Sequence, residues 1–434
     1  MSATTPYRYP VNFDPTIYHV DPKRARGPIT VSLEAMESLA IVKDHLAKVL
    51  PGINHEPCGN LHHPYVVPGA NYHNLWDWDS YFICSSLPPS ALPYGKGTVM
   101  NLIEGIRADG MPSKLASTEG TYSYDQHPYP LLAQFSYIMA RQLNDFSWIV
   151  PIWEKLKSAL QWYETQTIKN GHYFTWQGLM GNGIDNNPAV YGRPPWSSAG
   201  IDLATWHYRE YRAYAKISEA LNTGESAVYH ERAERLRALI QRQYWDHIDR
   251  SYYNLDMGMD TSQISQQAIT WVTHLKFRSW ATLFPLWGKL ATTAQAAIMR
   301  DRIMDVGEFL APCGVRSHSA IDPLYNNVPM GHPSNWQGPV WGLSTFLTAY
   351  GLAKYGYTAD ALEVAFRLIR TFAADITQNG CIHEYYHGDT GQPLTSPGFI
   401  SWNLLALRVI DDIQHGVDGT TLDLLETDDA TLAH

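Results

Sequence analysis

Helical periodicity recurs along most of this 434-residue chain. From residue 31 to residue 50, apolar residues return at intervals of three and four, which is the spacing of one face of an amphipathic helix. The dipeptide Pro51-Gly52 then ends that helix. Strand-like alternation is nearly absent, so we predict an all-α fold. The same pattern predicts further helices at 78–88, 96–108, 129–144, 148–168, 200–221, 225–244, 264–288, 292–307, 338–355, 358–377 and 399–413.

The connections between these helices alternate between short and long. Long connections in a compact domain are usually functional. Twelve helices connected in this way predict paired helices in a ring, with the long loops gathered at one end. We predict a single domain over 31–434, preceded by an extended arm over 1–30. The long connections, all rich in Trp, Tyr, Asn, Asp and Gly, are 53–77, 109–128, 171–199, 308–337 and 378–398.

Composition restricts the class of protein. Hydrophobic residues make up 45% and charged residues 17%, which excludes a disordered chain. The net charge of −10 and the lack of a Lys/Arg run argue against nucleic acid as a partner. No segment approaches the roughly 18 apolar residues of a membrane span. The first residues lack the apolar core of a signal peptide, so we expect a cytoplasmic protein, although a chain whose signal had been removed would look the same.

Aromatic residues are numerous, with 15 Trp and 27 Tyr. Their large apolar faces suit stacking against sugar rings, but a large helical core would also accommodate them. The four cysteines are scattered and indicate neither a zinc site nor a disulfide framework. His62-His63 and the pair His383/His387 could supply metal ligands, but no metal-binding motif occurs. We therefore expect no metal and no cofactor.

Two acids stand between tryptophans in the segment Asn71–Phe82 (NYHNLWDWDSYF). Asp77 and Asp79 both suit the first turn of a helix, and that structural role is one interpretation. In the functional interpretation, one carboxylate binds sugar hydroxyls while a Trp packs on the ring. A second acid, Asp185, lies in the Gly/Asn-rich segment Gly178–Pro188 (GLMGNGIDNNP). Such a backbone can approach a ligand closely, although Asp is also a common turn-former.

Two later segments complete the set. Asn335–Trp341 (NWQGPVW) opens a predicted helix, where proline suits the first turn. Gly380–Gly391 (GCIHEYYHGDTG) places Glu384 between aromatic residues, and Trp402 follows on the next helix. A carboxylate in apolar surroundings needs a partner or a shifted pKa. Glu384 is therefore the acid that a purely structural role explains least well.

Together, these four segments resemble glycoside hydrolase family 63, in particular its short mannosylglycerate and glucosylglycerate hydrolase branch. Family members carry W-x-W-D-x-x-F, S-G-x-D-N-S-P, W-R-G-P-V-W and A-E-Y-Y-x-P-x-T-G in this order. The corresponding segments here are Trp76–Phe82, Asn182–Pro188, Trp336–Trp341 and His383–Gly391. The resemblance implies an (α/α)6 barrel, in agreement with the twelve helices counted independently.

The resemblance also implies an inverting hydrolysis of an α-glycosidic bond. Asp185 would be the general acid, Glu384 the general base, and Asp79 would hold hydroxyls of the sugar at the cleaved bond. Inversion requires the acid and the base on opposite faces of the sugar, roughly 6.5–9.5 Å apart, so that a water fits between them. The acid must keep its proton near neutral pH, through burial or a neighbouring carboxylate. The other expected sugar contacts are Trp78, Tyr81, Trp336, Gln337 and Trp341.

The sequence departs from the family pattern around the second and third segments. A Trp and a Glu that often precede the second segment are missing, Ala189 stands where Arg often follows it, and Gln337 replaces the Arg of W-R-G-P-V-W. These changes bear on the substrate more than on the reaction type. A charged glycerate aglycone needs a cation nearby, and Arg193, Lys114 and Arg107 are the candidates, although each is also compatible with a solvated or loop-bracing role.

We therefore expect a small carbohydrate partner, an α-glucoside or α-mannoside such as glucosylglycerate or mannosylglycerate. Disaccharides stay open, because the related inverting trehalases share the barrel. Two other classes remain alternatives. One is an (α/α)-barrel sugar epimerase or isomerase, which relies on His pairs near the reacting carbon. The other is a sugar-binding protein without activity. The sequence leaves the oligomeric state open, a homo-oligomer included.

Overall fold

The computed structural model describes residues 31–120, 122–124, 126–178, 181–258, 273–328 and 334–415. The arm predicted over 1–30 lies outside these residues. No helix in the described ranges combines the length and the apolar character needed to cross a bilayer. The α-helices of the described residues are α1 Leu33–Val49, α2 Asp77–Ser85, α3 Leu92–Glu104, α4 Leu132–Leu143, α5 Trp153–Gln166, α6 Ile201–Leu221, α7 Ser226–Leu239, α8 Phe284–Trp287, α9 Thr293–Ile303, α10 Gly342–Lys354, α11 Thr358–Asn379 and α12 Val409–His415.

Six helical segments form a closed inner ring. Helix α2 contacts α4, α4 contacts α6, α6 contacts α8, and α8 contacts α10. The 3-10 segment Ser401–Leu407 then packs on both α10 and α2 and closes the ring. Every residue of α2 is buried, as expected of a helix surrounded by other helices. Helix α1 lies outside the ring against α11 and buries a single stripe of its surface. This architecture is the (α/α)6 barrel that the resemblance implied, and the all-α prediction is confirmed.

Local sequence sets several helix ends. The Ser32 hydroxyl accepts the N–H of Ala35 at 3.2 Å and caps the start of α1. Helix α11 ends at Gly380, whose φ of 74° suits glycine. The start of α4 has a tertiary cap instead, because the Glu210 carboxylate of α6 accepts the N–H groups of Ala133 and Gln134 at 2.7 and 3.1 Å. An interhelical contact thus satisfies main-chain donors that a helix leaves free.

The helix predicted over 264–288 is wrong in its described part. Residues 264–272 lie outside the described ranges, a strand occupies Thr273–Leu275, and a 3-10 turn occupies Trp280–Leu283. Only Phe284–Trp287 is α-helical. Among the described residues of this range, the side chains of Trp280, Phe284 and Trp287 are buried, so burial rather than helical periodicity explains their spacing. The helix predicted over 399–413 likewise begins as the 3-10 segment 401–407 and continues as α12.

Short strands occupy the long connections. Three of them lead directly into inner-ring helices, because β3 precedes α2, β7 approaches α6 and β14 precedes α10. The loops therefore gather where the inner helices begin. The described strands are β1 Asn54–His55, β2 Tyr65–Val66, β3 Leu75–Trp76, β4 Leu115–Ala116, β5 Ile168–Lys169, β6 Tyr173–Trp176, β7 Ser198–Ala199, β8 Trp245–Asp246, β9 Ser251–Tyr252, β10 Asn254–Asp256, β11 Thr273–Leu275, β12 Leu310–Ala311, β13 Gly314–Val315, β14 Val340–Trp341, β15 Tyr385–Tyr386 and β16 Pro393–Thr395.

These strands pair antiparallel wherever the structure describes them. The largest sheet has the order β11-β10-β7-β6-β5, and a second has the order β14-β15-β16. In the second sheet Trp341 pairs with Tyr385, and Tyr385 pairs with Thr395. Strand β3 pairs with β4, which sets Trp76 opposite Leu115. The pairings connect loops that are distant in sequence and fix their positions above the ring.

Candidate active site

A cavity of about 320 Å³ opens among the loops at the start of the inner helices. Four carboxyl groups line it, those of Asp77, Asp79, Asp185 and Glu384. Its size is at the lower end of the range for small-molecule sites. Each of the five long loops named from the sequence contributes to the lining, so their predicted convergence is confirmed.

The first two acids lie at the start of α2. The chain leaves β3 and turns into the helix at Asp77, whose N–H donates to the carbonyl of Lys114 at 3.0 Å. The Asp79 Oδ1 accepts the Ser401 hydroxyl at 2.6 Å. Burial raises the pKa of Asp79 to about 7, and the charge of Asp185 adds to that rise while the Ser401 bond opposes it. Burial also raises the pKa of Asp77 to about 8, against the opposing charge of Lys114.

The third acid, Asp185, lies in a loop without regular structure. Gly183 has a φ of 64°, and a Cβ there would lie 2.4 Å from Cζ2 of Trp78. Only glycine fits this backbone conformation and this close approach. The Asn182 side chain accepts the N–H of Ile184 at 3.0 Å, a local turn. The loop thus packs directly on the Trp78 ring and leaves Asp185 half-buried at the cavity.

The fourth acid, Glu384, immediately precedes β15. Its N–H donates to the carbonyl of Thr395 at 3.0 Å, so it belongs to the β15–β16 hairpin. Burial raises the pKa of Tyr72 and of Tyr385 to about 12, and in both cases the charge of Glu384 contributes. Two phenols therefore lie close to this carboxylate, one of them at the cavity surface.

Four tryptophan rings line the same cavity as the four acids. The centroid of the Trp78 ring lies 5.8 Å from that of Trp336 and 5.4 Å from that of Trp402. Trp336 stacks on Trp341 with centroids 3.9 Å apart and planes within 4°. All four rings line the cavity. They form a continuous apolar surface, which suits the C–H faces of a sugar ring.

The structure brings six of the eight predicted site residues to the cavity: Asp79, Asp185, Glu384, Trp78, Trp336 and Trp341. Tyr81 is not at the cavity. It lies about one turn further along α2, is fully buried, and packs edge-on against Phe82 and Trp206 at 5.1 and 5.2 Å. Gln337 also does not line the cavity, because its side chain points to the main chain of Asn186. The roles of the six stay predictions.

Several lining residues were not predicted from the sequence. Asp77 was noted only as one of two acids of which one would bind sugar. Tyr72, Tyr129 and Phe399 also line the cavity. Tyr72 lies inside the segment Asn71–Phe82, which the sequence analysis had already singled out. Its position in that segment could therefore have identified it as a lining residue. Phe399 follows a turn that no motif marks.

Of the three cations proposed for a charged aglycone, Lys114 lines the cavity. Its Nζ lies 5.6 Å from the centroid of the Trp76 ring. Arg193 instead pairs with Asp256 at 2.6 Å, and Arg107 pairs with its neighbour Asp109 at the surface. The histidines considered as metal ligands also have other partners.

His62 and His63 both contact the Glu104 carboxylate, at 2.8 and 2.9 Å. His383 Nδ1 lies 2.9 Å from Asp375. Within the described ranges, no group of three or more His, Cys, Asp or Glu side chains is arranged to hold a metal ion.

Comparison with known proteins identifies the family of the chain. A family model, the mannosylglycerate hydrolase MGH1-like glycoside hydrolase domain, matches residues 72–402. The GH63 mannosylglycerate hydrolase from Thermus thermophilus, solved in complex with Tris and D-glycerate, has a TM-score of 0.66 at 17% identity and covers 84% of this chain and 99% of its own. The same hydrolase in complex with glucose has a TM-score of 0.64 at 18% identity, over 83% and 98% of the two chains.

Two curated yeast relatives are longer than the matched region. The cytosolic neutral trehalase of Saccharomyces cerevisiae is 21% identical over 391 residues, which are 75% of this chain and 51% of the trehalase. An uncharacterized protein of the same yeast is 24% identical over 185 residues, which are 29% of this chain and 17% of that protein. The chain thus spans about half or less of these relatives. The family match confirms the resemblance carried by the four motif segments.

Proposed function

The chain belongs to the family of mannosylglycerate hydrolase MGH1-like glycoside hydrolases, and from this premise we propose that it is an inverting α-glycosidase with Asp185 as general acid and Glu384 as general base. The observation that carries the proposal is that both acids, although distant in sequence, line one small aromatic cavity. Inverting hydrolysis requires two such carboxyl groups with a sugar and a water between them.

The reaction assigns one proton transfer to each acid. As the bond from C1 to the glycosidic oxygen breaks, Asp185 gives its proton to that oxygen and the aglycone leaves as an alcohol. Glu384 takes a proton from a water whose oxygen attacks C1 from the opposite face. The released sugar therefore has the β-configuration. Asp79 beside Asp185 supports this assignment, because neighbouring carboxyl groups disfavour ionisation of both.

The sugar itself has a binding surface in the cavity. The rings of Trp78, Trp336 and Trp402 offer a stacking surface. The Ser401 hydroxyl fixes the Asp79 carboxyl group beside them, where it suits hydrogen bonds to sugar hydroxyls. Asp79 thus fits the predicted role of holding the sugar at the cleaved bond.

We propose a small α-glucoside or α-mannoside as the substrate. The mannosylglycerate hydrolase from Thermus thermophilus is named for a glycerate glycoside and was solved with D-glycerate and with glucose. In this chain Lys114 is the cation positioned to meet a glycerate carboxylate. The similarity to a neutral trehalase favours a disaccharide as the second candidate.

A sugar epimerase or isomerase fits less well. That chemistry relies on basic groups such as His beside the reacting carbon. The titratable side chains that line the cavity, among the residues described, are four carboxyl groups, one lysine and two tyrosines. This set suits acid-assisted hydrolysis.

The proposal is tested by NMR-monitored hydrolysis of glucosylglycerate, mannosylglycerate, trehalose, kojibiose, nigerose and sucrose. We expect the sugar that is attacked at C1 to appear first as its β-anomer, and trehalose should in addition release an equal amount of α-glucose as the leaving group. Asp185→Asn and Glu384→Gln should each lower kcat by about 10²–10⁴-fold, the usual contribution of acid–base groups. Asp109→Asn, which alters a surface acid paired with Arg107, is the matched control and should keep wild-type activity. First release of the α-anomer from a glycerate glycoside or from sucrose, whose leaving groups are not the same sugar, would overturn both assignments.

A further inference from the structure

The loop of the proposed general acid is joined to the segment before α10 by side-chain amides. Asn186, the residue after Asp185, uses both ends of its amide: its Oδ1 accepts the N–H of Trp336 at 2.7 Å, and its Nδ2 donates to Asn335 Oδ1 at 2.9 Å. The side chain that follows Asp185 is therefore fixed by the segment before α10. Trp336 is itself a lining residue. Its bond to Asn186 therefore also fixes the position of the acid loop relative to the aromatic surface of the cavity.

Gln337 makes a third bond to the same residue. Its Nε2 donates to the main-chain carbonyl of Asn186 at 2.9 Å. Its own N–H donates to Asn335 Oδ1 at 2.9 Å. We call Asn186, Asn335 and Gln337 the amide network. The bonds of Asn186 with Asn335 and with the N–H of Trp336 hold its side chain, and the bond from Gln337 holds its backbone.

Asn335 connects the amide network to the buried part of the molecule. Asn335 is only 1% exposed. Its Nδ2 donates to the carbonyl of Asn326 at 2.7 Å, and its carbonyl accepts the indole N–H of Trp341 at 2.9 Å. Trp341 is fully buried at the start of α10. A shift of Gln337 would therefore disturb bonds that reach the inner ring, so the network holds a fixed position.

The acid loop needs such support, because residues 182–188 form neither helix nor strand. A general acid must lie within hydrogen-bond reach of the leaving oxygen, and displacements near 1 Å can cost about 100-fold in rate. An amide is a suitable support beside an acid. It donates a hydrogen bond without a positive charge, whereas a cation nearby would favour the ionised carboxylate.

We propose that Gln337 is a positioning residue for Asp185. It acts through the carbonyl of Asn186, holds the acid at the glycosidic oxygen, and does not contact the sugar. This inference rests on the proposed function, since it presupposes that Asp185 protonates the leaving group. Gln337 thereby has a role different from the sugar contact that its motif suggested.

The test uses leaving groups that differ in their need for a proton. In an O-glycoside the departing alcohol takes a proton from the acid. In an α-glucosyl or α-mannosyl fluoride the C1–F bond breaks and fluoride leaves as an anion, while water activated by Glu384 still attacks C1. Misplacement of the acid therefore slows the O-glycoside and spares the fluoride. Loss of a sugar contact slows both.

We expect Gln337→Ala to lower kcat on the preferred O-glycoside by about 10- to 100-fold. On the fluoride of the same sugar, kcat should stay within about 3-fold of wild type, because no leaving-group protonation is needed. Gln337→Glu keeps the side-chain volume but cannot donate to the carbonyl when ionised, so it should show the same selectivity, and it replaces the alanine variant if that one fails to fold. Asp185→Asn should show a larger version of the same pattern.

Gln142→Ala is the matched control. The Gln142 amide also donates to a main-chain carbonyl, that of Ser85 at 3.3 Å, but outside the site. Its loss should leave the ratio of the two activities unchanged. If Asp185→Asn spares the fluoride while the Gln337 variants lose both activities equally, or lose neither, the positioning role is overturned. If Asp185→Asn itself loses both equally, the proposed function fails first, and the positioning role fails with it.

Discussion

The two segments that carry the proposed acid and base are held by different chemistry. The Asp185 loop has no regular structure and depends on the neutral amide network and on the close packing of Gly183 against Trp78. The Glu384 segment enters a three-stranded sheet, between β14 and β16. A main-chain ladder therefore fixes the base, whereas a few side chains fix the acid.

A buried carboxylate adds to the support of the base segment. Asp375 of α11 is 3% exposed, and its Oδ2 accepts the N–H of His383 at 3.0 Å and the Tyr386 hydroxyl at 2.7 Å. These two residues flank Glu384 in the chain at close range. Hydrogen bonds to a charged group contribute about 1.5–3 kcal/mol, against about 0.5–1.5 kcal/mol for neutral pairs.

This difference suggests that the two segments fail in different ways. The acid loop should be sensitive to small local changes of shape, with a large effect on activity and a modest effect on stability. The base segment should tolerate local strain but should lose stability when its buried carboxylate is removed. The experiments below test this contrast.

Gly183→Ala should have the largest effect. The new Cβ would lie 2.4 Å from Trp78 Cζ2 in a left-handed backbone conformation, so the loop and Asp185 must move. We expect kcat on the O-glycoside to fall by at least about 100-fold, the cost of displacing a catalytic group by about 1 Å. Steady-state kinetics of the purified variant measures it.

The matched control is Gly391→Ala, at the far end of the base segment. Gly391 also has a positive φ, 71°, but the atom nearest to its added Cβ is Cys313 Cβ at 3.4 Å. The left-handed conformation should cost about 1–2 kcal/mol of stability, while kcat changes only a few-fold. Equal losses of activity in the two variants would contradict the contrast between the segments.

Asp375→Ala should produce the largest loss of stability. It removes the partner of the Tyr386 hydroxyl and of His383 Nδ1, while the N–H of His383 keeps the Tyr386 hydroxyl oxygen at 3.2 Å. Each buried group left unsatisfied costs about 1–3 kcal/mol. We expect the free energy of unfolding in urea to fall by about 3 kcal/mol. Gln337→Ala, which removes one neutral bond, should lower it by only about 1 kcal/mol.

The control for Asp375 is Asp411→Ala, since Asp411 forms an exposed ion pair with Lys43 at 2.7 Å. Such surface pairs are worth about 0–1 kcal/mol. If the unfolding free energies of the Asp375 and Asp411 variants fall together, the buried carboxylate does not support the base segment.

Much of the fold followed from the sequence because helical periodicity is a local signal. Loops were also predictable as a group, since their aromatic and polar composition marked all five that meet at the cavity. The failure at 264–288 has a physical cause. A run of residues buried on all sides is apolar whether or not it is helical, so Trp280 and Phe284 appear periodic although the chain is 3-10 helical from Trp280 to Leu283 and α-helical only from Phe284 to Trp287.

The site was predictable in part for the same reason. Asp185 and Glu384 were found through motif order, whereas the residues alone left a turn-forming role open for Asp185. The direction of Gln337 could not be predicted, because its acceptor is the carbonyl of Asn186 on a loop about 150 positions earlier in the chain. Tyr81 belongs to the motif but lies about one helical turn further along α2, away from the cavity. The sequence could not predict this, because it does not give the orientation of α2 relative to the cavity.

The side of the cavity that holds Asp79 and the proposed general acid Asp185, here called the acid side, should also respond to pH. Burial raises the pKa of Asp79 from 3.8 to about 7, so the folded state keeps a proton that the unfolded chain releases near pH 4. The stability that this proton contributes at low pH is therefore lost as pH rises from about 4 to 7, and the loss is complete above pH 7. Asp79→Asn removes this dependence. Its advantage in unfolding free energy over wild type should grow from pH 5 to pH 8 by an amount on the order of 2 kcal/mol.

Urea unfolding of both proteins at pH 5 and pH 8 measures this change. Asp411→Asn is the control, because its carboxyl group is exposed and its difference from wild type should be constant across the same range. An Asp79→Asn advantage that does not grow with pH would show that Asp79 ionises in the folded state as it does in the unfolded chain. The acid side would then be no more sensitive to pH than the rest of the molecule.

The smallest effect, and the one that bears on the substrate, should come from Lys114→Ala. Lys114 is mostly buried at the cavity, and its charge acts on Asp77. Asp77 interacts with Asp79, and Asp79 interacts with Asp185. The aglycone departs on the side of the acid, so a carboxylate on the aglycone would meet this ammonium group. We expect KM for a glycerate glycoside to rise about 5-fold, and KM for trehalose to change less than about 2-fold, because a single charge pair contributes about 1 kcal/mol.

Lys155→Ala is the control, since the Lys155 ammonium donates to the carbonyl of Glu104 at the surface and should affect neither substrate. Equal rises in KM for both substrates would mean that Lys114 serves Asp77 and not the aglycone. A selective rise for the glycerate glycoside would mean that this chain recognises an anionic aglycone with a lysine on the loop before β4. The acid side would then hold both the proton donor and the determinant of the leaving group, and the base side would hold only the attacking water.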